Sequence, residues 1–291
     1  MSRLLYLIAC GVLAIGITFY GGRVFERKPP EITAEYSRRQ PLIALNPDTI
    51  MGKAAYAENT TDHQMIIGVN SELQFPLASV TKVMTALLAL EELSPETVIK
   101  ITPAALAEDG ESGLLLGEQW SRDDLVSFML VASSNDAARA LAQEVIVKEG
   151  RDFAKIMNER AQELGLVQTF YYNPTGLDMG TRLAGAYGSA HDQAILLNYA
   201  QEKYPDIFVK TTQANATFRT DFGTHMAVNT NSATGEFSGL RASKTGYTDL
   251  AGGNLALIYD LLPGKKIASV ILGSTEIARF IDSKTLLEAI K

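Results

Sequence analysis

Three short clusters carry residue types that could do chemistry together. Ser79-Val80-Thr81-Lys82 sets a hydroxyl and an amine three positions apart. On a helix that spacing puts both on one face, with Cβ atoms about 5–6 Å apart. A serine hydroxyl is a weak nucleophile and needs a base beside it. A lysine can be that base once its ammonium is discharged, which burial or a neighbouring cation achieves. Ser79 follows Pro76 near a predicted helix start, so its backbone N–H can point into a cleft and stabilise an oxyanion. Lys244-Thr245-Gly246 offers a charge and a hydroxyl to a carboxylate, and Gly246 lets another backbone come close. Ser133-Ser134-Asn135 reads locally as a helix N-cap before Asp136. Alone, each cluster also has a plain reading: an exposed helix with a solvated lysine, a turn entering a strand, a cap.

Other catalytic arrangements are missing. The chain has no Gly-x-Ser-x-Gly elbow, no Gly-rich phosphate loop with a lysine, and no His-Glu-x-x-His. His63, His191 and His225 are far apart in sequence and unaccompanied, so no metal site is expected and His191, after Ser189, reads as structural. The single cysteine, Cys10, excludes a disulfide scaffold and a Cys-rich metal site.

The elements that must position these clusters follow from the hydrophobic pattern. Apolar-rich runs at 53–58 and 64–69 around Asn59-Thr60-Thr61-Asp62 predict a β-hairpin. Val80, Val83, Met84, Leu87 and Leu88 predict a helix from Ser79 to about Glu92. Helical patterns recur at 121–131, 136–148, 151–164 and 190–203. A second hairpin is expected from 254–259 and 266–272, and a closing helix from 276–291. The two ends of the body are thus β-rich and the middle is expected to be all helix. One antiparallel sheet flanked by helices, with an inserted helical lobe, is the expected architecture. The cleft between sheet and lobe is where a site would lie.

Taken in order, Ser-x-x-Lys, Ser-x-Asn and Lys-Thr-Gly form the set seen in penicillin-binding proteins and serine β-lactamases. Over roughly residues 50–291 the chain resembles the serine D-Ala-D-Ala carboxypeptidases, the low-molecular-mass penicillin-binding proteins. The resemblance is carried by Leu77 to Ala86, Ala132 to Ala138, Asn173 to Asp178, and Lys244 to Asp249. It implies a mixed α and β, β-lactamase/transpeptidase-like fold. It also implies roles: Ser79 as acylated nucleophile, Lys82 as its base, and Ser133 as proton relay toward Lys82 and the leaving amine. Asn135 would hold the substrate amide carbonyl, and Lys244 and Thr245 the terminal carboxylate. The N–H groups of Ser79 and Tyr247 would form the oxyanion hole, and Gly246 would belong to the substrate-binding set. The field of Lys244 would help to keep Lys82 neutral.

The implied reaction releases D-Ala from a peptidoglycan stem peptide through an acyl-enzyme, with no cofactor, and β-lactams would acylate the same serine. A D,D-endopeptidase uses the same chemistry. A β-lactamase is disfavoured by Ser134 in the middle motif and by the lack of a Glu-x-x-x-Asn block. A non-catalytic wall-binding module would leave Ser79 and Lys82 without a reason. Two departures from the family pattern stand out. Asn229-Thr230-Asn231 carries Thr230 where several relatives have arginine, and Ala242-Ser243 precedes Lys244. The family often has a second β-rich domain and a C-terminal amphipathic anchor, and only 45 residues follow Gly246.

Charge divides the chain further. The formal charge is −7, but residues 1–30 carry +3, leaving −10 for the rest. A body this acidic without a basic stripe argues against nucleic-acid binding. Leu4 to Gly22 is nineteen residues without a charge, near the roughly 20 that span a bilayer. An uncleaved signal-anchor over 1–25 is the favoured expectation and a cleaved signal its rival; Leu7-Ile8-Ala9-Cys10 also looks like a lipoprotein box. Residues 26–45, with Pro29, Pro30 and Pro41, read as a linker before a catalytic domain at 46–291. Counting flanking positive charges alone would leave the body inside the cell. The resemblance implies instead an exported enzyme on the outer face of the cytoplasmic membrane.

Overall fold

The computed structural model describes residues 40–110 and 112–291. The expected span 4–22, Cys10 and most of the expected linker lie outside those residues. Among the described residues no helix is long and apolar enough to cross a membrane. Folded structure begins ahead of residue 46: Leu42 and Ile43 donate backbone hydrogen bonds to Met65 and Ile66, and Ile43 and Leu45 pack on the core.

The chain opens with the expected hairpin, β1 (Ala54–Asn59) and β2 (Gln64–Val69), then a two-residue strand β3 (Phe75–Pro76). A short 3-10 turn over Ala78–Thr81 leads into α1 (Lys82–Glu92). The lobe continues through β4 (Val98–Lys100), β5 (Gln119–Ser121), α2 (Arg122–Ala132), α3 (Asn135–Glu149) and α4 (Phe153–Glu163). Strands β6 (Phe170–Tyr171) and β7 (Ala186–Gly188) precede α5 (Ala190–Lys203) and the short α6 (Pro205–Val209). Hairpin β8 (Asn215–Thr220) and β9 (Gly223–Val228) comes next. Strands β10 (Leu240–Thr248), β11 (Gly252–Leu262) and β12 (Lys265–Ser274) and helix α7 (Ala278–Ile290) close the chain.

The main sheet has the order β10-β11-β12-β1-β2, antiparallel throughout. Because β12 pairs with β1, the two β-rich ends form one sheet and everything from β3 to β9 is an insertion between its strands. This topology is what allows residues 79, 133 and 244 to meet.

The sheet is covered on both sides, and the period-2 alternation of strands sorts its residues. Leu255, Leu257, Tyr259 and Ile271 pack toward α7, while Ala256, Ile258, Val270 and Leu272 join the larger core shared with α1 and α5. In α1 every residue from Lys82 to Leu90 is buried, so this helix is the centre of the lobe. Ser121, Ser134, Asp152 and Ser189 each accept a backbone N–H as N-caps, which sets the starts of α2 to α5.

The antiparallel sheet, flanking helices and inserted lobe agree with expectation. The all-helical middle does not: the lobe also carries the β4–β5 pair, the three-stranded β3-β7-β6 sheet and the β8–β9 hairpin. Strands of two or three residues are too short to show a period. The β8–β9 alternation was present, with Ala216 and Phe218 buried between exposed Thr217 and Arg219. Its meaning comes from a partner far away. Trp120, Phe128, Phe218 and His225 form one aromatic cluster, with Trp120 5.0 Å from both Phe128 and His225 and Phe128 5.6 Å from Phe218, edge to face. Glu118, wholly buried, accepts from Thr220 Oγ1 (2.6 Å), His225 Nε2 (2.5 Å) and Leu115 N (3.1 Å). His225 is therefore accompanied after all, and His191 lies beside Glu72, Asp192 and the Tyr56 ring. Since Phe218 joins the hairpin to the lobe, we expect Phe218→Ala to cost about 3–5 kcal/mol in chemical denaturation; a loss below about 1 kcal/mol would show the hairpin to be peripheral.

Candidate active site

The turn before α1 is held in an unusual backbone state. Ala78 has φ +47°, the left-handed region that costs a side-chain-bearing residue. Three groups enforce it. Asn254 Nδ2, on β11, donates to Pro76 O and Leu77 O at 3.0 Å each, and its Oδ1 accepts from Gly273 N at 2.8 Å. A Cβ on Gly246 would stand 2.8 Å from Leu77 O and 3.1 Å from Ser79 N. A Cβ on Gly176 would stand 1.9 Å from Ala78 O, and Gly176 itself has φ +78°. The close approach expected at Gly246 is thus to the backbone of the turn that carries Ser79.

Lys82 is wholly buried one helical turn after Ser79. As an ammonium its Nζ donates to Ser79 Oγ (2.8 Å), Asn135 Oδ1 (2.7 Å) and Thr175 O (2.8 Å). Burial pushes its pKa down to about 7, against the opposing pull of the Glu108 carboxylate. A neutral amine keeps two N–H bonds and one lone pair. Asn135 Oδ1 and Thr175 O can only accept, so they take the two N–H groups. The lone pair is left for the one partner able to donate, the Ser79 hydroxyl. The arrangement can therefore deprotonate Ser79 without a histidine.

The Thr175 carbonyl comes from the loop Asn173-Pro174-Thr175-Gly176, an Asx-type turn in which Asn173 Oδ1 accepts from Thr175 N (3.2 Å) and Gly176 N (2.7 Å). Pro174 O accepts from Thr85 Oγ1 at 2.7 Å, which fastens the loop to α1. Asp178 accepts from Thr248 Oγ1 (3.0 Å) and Leu250 N (3.2 Å), which fastens it to the end of β10.

Residues 133–135 form the joint between α2 and α3. Ser133 ends α2 in the left-handed region (φ 58°, ψ 31°), and Ser134 is the N-cap of α3, accepting from Ala137 N at 3.0 Å. The cap expected from the sequence is therefore present, and it belongs to Ser134. Ser133 Oγ accepts from Lys244 Nζ at 2.9 Å. Among the described residues it makes no hydrogen bond to Lys82, the partner the resemblance implied. Asn135 donates one amide N–H to Asp109 O (2.5 Å) and keeps a second donor for a ligand carbonyl.

Lys244, Thr245 and Gly246 lie on β10, the edge strand of the main sheet. The Lys244 side chain is buried, and Nζ also donates to Thr245 O at 2.8 Å. Burial lowers its pKa first, and the positive charges of Lys82 and Arg279 lower it further. Burial also comes first for Lys82, so the expected field of Lys244 is not what chiefly keeps Lys82 neutral. Thr245 Oγ1 lies 2.5 Å from Thr230 Oγ1, so the two hydroxyls form a hydrogen-bonded pair. Arg279 on α7 donates through Nη1 to Gly246 O at 2.9 Å, and Tyr247 is half exposed at the cleft rim.

Sequence reasoning gave no role to Thr175, Asn254 or Arg279. The last two left a signal: a buried amide inside an apolar strand and an arginine on the inner face of a helix. A backbone carbonyl such as that of Thr175 leaves none.

The profile of the D-alanyl-D-alanine carboxypeptidase family matches residues 42–275. The chain is 32% identical over 260 residues to D-alanyl-D-alanine carboxypeptidase DacF of Bacillus subtilis, covering 85% of this chain and 60% of that one. It is 31% identical to a D-alanyl-D-alanine endopeptidase of Pseudomonas aeruginosa, covering 72% of this chain and 67% of that one. The chain thus spans about three fifths to two thirds of the length of these curated relatives. Among solved structures, penicillin-binding protein D2 of Listeria monocytogenes in its cefotaxime-bound form superposes with a TM-score of 0.71 at 30% identity, covering 86% of this chain and 99% of that one.

The neutral state of Lys82 can be read directly. We expect the side-chain ¹³Cε and ¹⁵Nζ NMR signals lost in Lys82→Met to titrate near pH 7 in the wild-type protein. A midpoint near 10 would contradict the burial argument.

Proposed function

Because the chain belongs to the D-alanyl-D-alanine carboxypeptidase family, we propose that it is a serine D,D-carboxypeptidase that removes the terminal D-Ala from peptidoglycan stem peptides. The observation that carries this reading is the buried amine of Lys82, 2.8 Å from Ser79 Oγ, with the acceptors Asn135 Oδ1 and Thr175 O as its other two neighbours.

In this reading the substrate's terminal carboxylate lies against Lys244 and Thr245, with Thr230 behind Thr245. The anion favours the charged form of Lys244, which offsets the burial of that side chain. The free amide N–H of Asn135 holds the substrate amide carbonyl. Lys82 takes the proton of Ser79, whose Oγ adds to the scissile carbonyl. The developing oxyanion is met by the backbone N–H groups of Ser79 and Tyr247, on either side of the contact that Gly246 permits. The proton held by Lys82 passes by way of Ser133, which turns from Lys244 to receive it, to the departing amine as the C–N bond breaks, and Lys82 is neutral again. Water then attacks the ester with Lys82 again as base, and the shortened peptide leaves. The chemistry needs no metal or cofactor.

A β-lactam presents a carboxylate and a strained amide in the same relation, so it acylates Ser79 as well. The cefotaxime-bound relative supports that reading. A substrate in the cell wall calls for an extracytoplasmic enzyme. We assign residues 1–25 to a signal-anchor that crosses the membrane through 4–22, and the residues from 26 to a linker that ends where Leu42 and Ile43 join the catalytic domain.

The test is covalent labelling with a fluorescent penicillin and release of free D-alanine from a stem pentapeptide. Both are expected in the wild-type protein and lost in Ser79→Ala. Labelling that persists in the alanine variant would remove Ser79 as nucleophile.

A further inference from the structure

Helix α7 reaches the edge strand β10 through one side chain, Arg279. Its placement begins with Gly253, which stands opposite Tyr247 in the β10–β11 register. A Cβ on Gly253 would stand 2.0 Å from Thr275 O and 3.0 Å from Glu276 N. The missing side chain therefore lets the turn that enters α7 rest on β11 at that register position. Thr275 O then accepts from Arg279 N at 3.2 Å and Thr275 Oγ1 from Ala278 N at 3.0 Å, which fixes the first turn of the helix. Arg279 is buried by this docking, with its guanidinium carbon 4.8 Å from the centroid of the Phe280 ring.

A buried cation is costly, and buried charges are ordinarily paired with an opposite charge. Here Nη1 donates to a backbone carbonyl, Gly246 O, at 2.9 Å, and Nε, also buried, has no hydrogen-bond partner among the described residues. Burial pulls the pKa of the guanidinium down, with Glu276 and Tyr247 pulling the other way. An arginine stays charged under such a pull. The Gly246 carbonyl and the Tyr247 N–H belong to one peptide group, and in a trans peptide they point in opposite directions across a conjugated unit. A cation bonded to the oxygen draws electron density from the nitrogen. The N–H on the far side becomes a stronger donor, as one bond in a hydrogen-bonded chain polarises the next. The bond to the guanidinium is charge-assisted, so the effect exceeds that of a neutral donor.

We propose that Arg279 is a positioning residue for the oxyanion hole: it fixes and polarises the Gly246–Tyr247 peptide, and so strengthens the Tyr247 N–H that meets the developing oxyanion. The inference rests on the proposed acyl-enzyme chemistry. Arg279 acts through the peptide and makes no bond to the reacting atoms. Its charge has a second consequence of opposite sign, because it also lowers the pKa of Lys244. Removing that charge favours the ammonium of Lys244 and so the binding of a carboxylate. Loss of the polarised peptide instead slows the chemical step. The two effects separate in KM and in kcat.

The full-length protein and its variants Arg279→Met and Arg279→Lys can be acylated with a penicillin carrying ¹³C at the β-lactam carbonyl. Infrared difference spectra against the unlabelled compound then give the stretching frequency of the Ser79 ester carbonyl. Only molecules folded well enough to be acylated contribute to that signal. We expect Arg279→Met to move the stretch to higher wavenumber, because its oxygen is held by a weaker donor. Acylation and kcat on a stem pentapeptide should fall about tenfold, less than the loss of a whole oxyanion-hole donor, while KM does not rise. Arg279→Lys keeps a cation and should show a smaller change in the same direction; it decides alone if Arg279→Met yields no acylated protein. An unchanged stretch, an unchanged acylation rate, a loss expressed only in KM, or equal effects of the two variants overturns the role of Arg279 and leaves the Ser79 reading standing. Failure of the wild-type protein to form the ester overturns that reading, and the role of Arg279 with it.

Discussion

The burial of one amine governs this molecule. Moving a lysine from water into a packed core disfavours its ammonium, and the fall from 10.5 to about 7 amounts to a few kcal/mol held against the charged form of Lys82. Burial alone would give an inert neutral lysine. What suits it to act as a base is that two of its three neighbours are obligate acceptors, so the lone pair of the neutral amine has a single useful direction. The three neighbours come from the start of α1, the start of α3 and the 173–178 loop. Central helix, lobe and loop must all dock before the amine is oriented.

Two of the four described side-chain-bearing residues with positive φ sit in the same place. Ala78 and Ser133 are both side-chain-bearing residues in the left-handed region, each costing on the order of 1–3 kcal/mol. Both flank the cleft, one beside Ser79 and one at the hydroxyl bonded to Lys244. The rest of the fold holds them there. Asn254 binds the carbonyls ahead of Ser79, and Gly176 and Gly246 clear the space that the turn occupies. Strain at the site is thus balanced by packing in the sheet and lobe, where the large cores lie.

Much of this was legible in the sequence, for identifiable reasons. Long periodic segments such as α1 and the β11–β12 hairpin announce themselves through burial patterns that local sequence records. The three polar clusters were visible because their order along the chain is distinctive even though each is common. What stayed hidden depends on distant partners. The β8–β9 hairpin acquires its meaning from Trp120 and Phe128, about a hundred residues earlier, and the third acceptor of Lys82 is a backbone carbonyl. The same limit explains Ser133: its motif shows that a hydroxyl is present, while its bond to Lys244 is a result of the sheet edge meeting the lobe. Thr230 is the converse case. The resemblance singled it out, but only the fold shows that its hydroxyl lies against Thr245.

The most direct measurement is the pH dependence of the rate at which a β-lactam acylates the protein. A neutral Lys82 acting as base predicts a rate that falls about tenfold per unit below pH 7 and levels off above it, with a midpoint at about 7. A rate that is flat from pH 5 to 9, or one still climbing toward pH 10, would contradict the account.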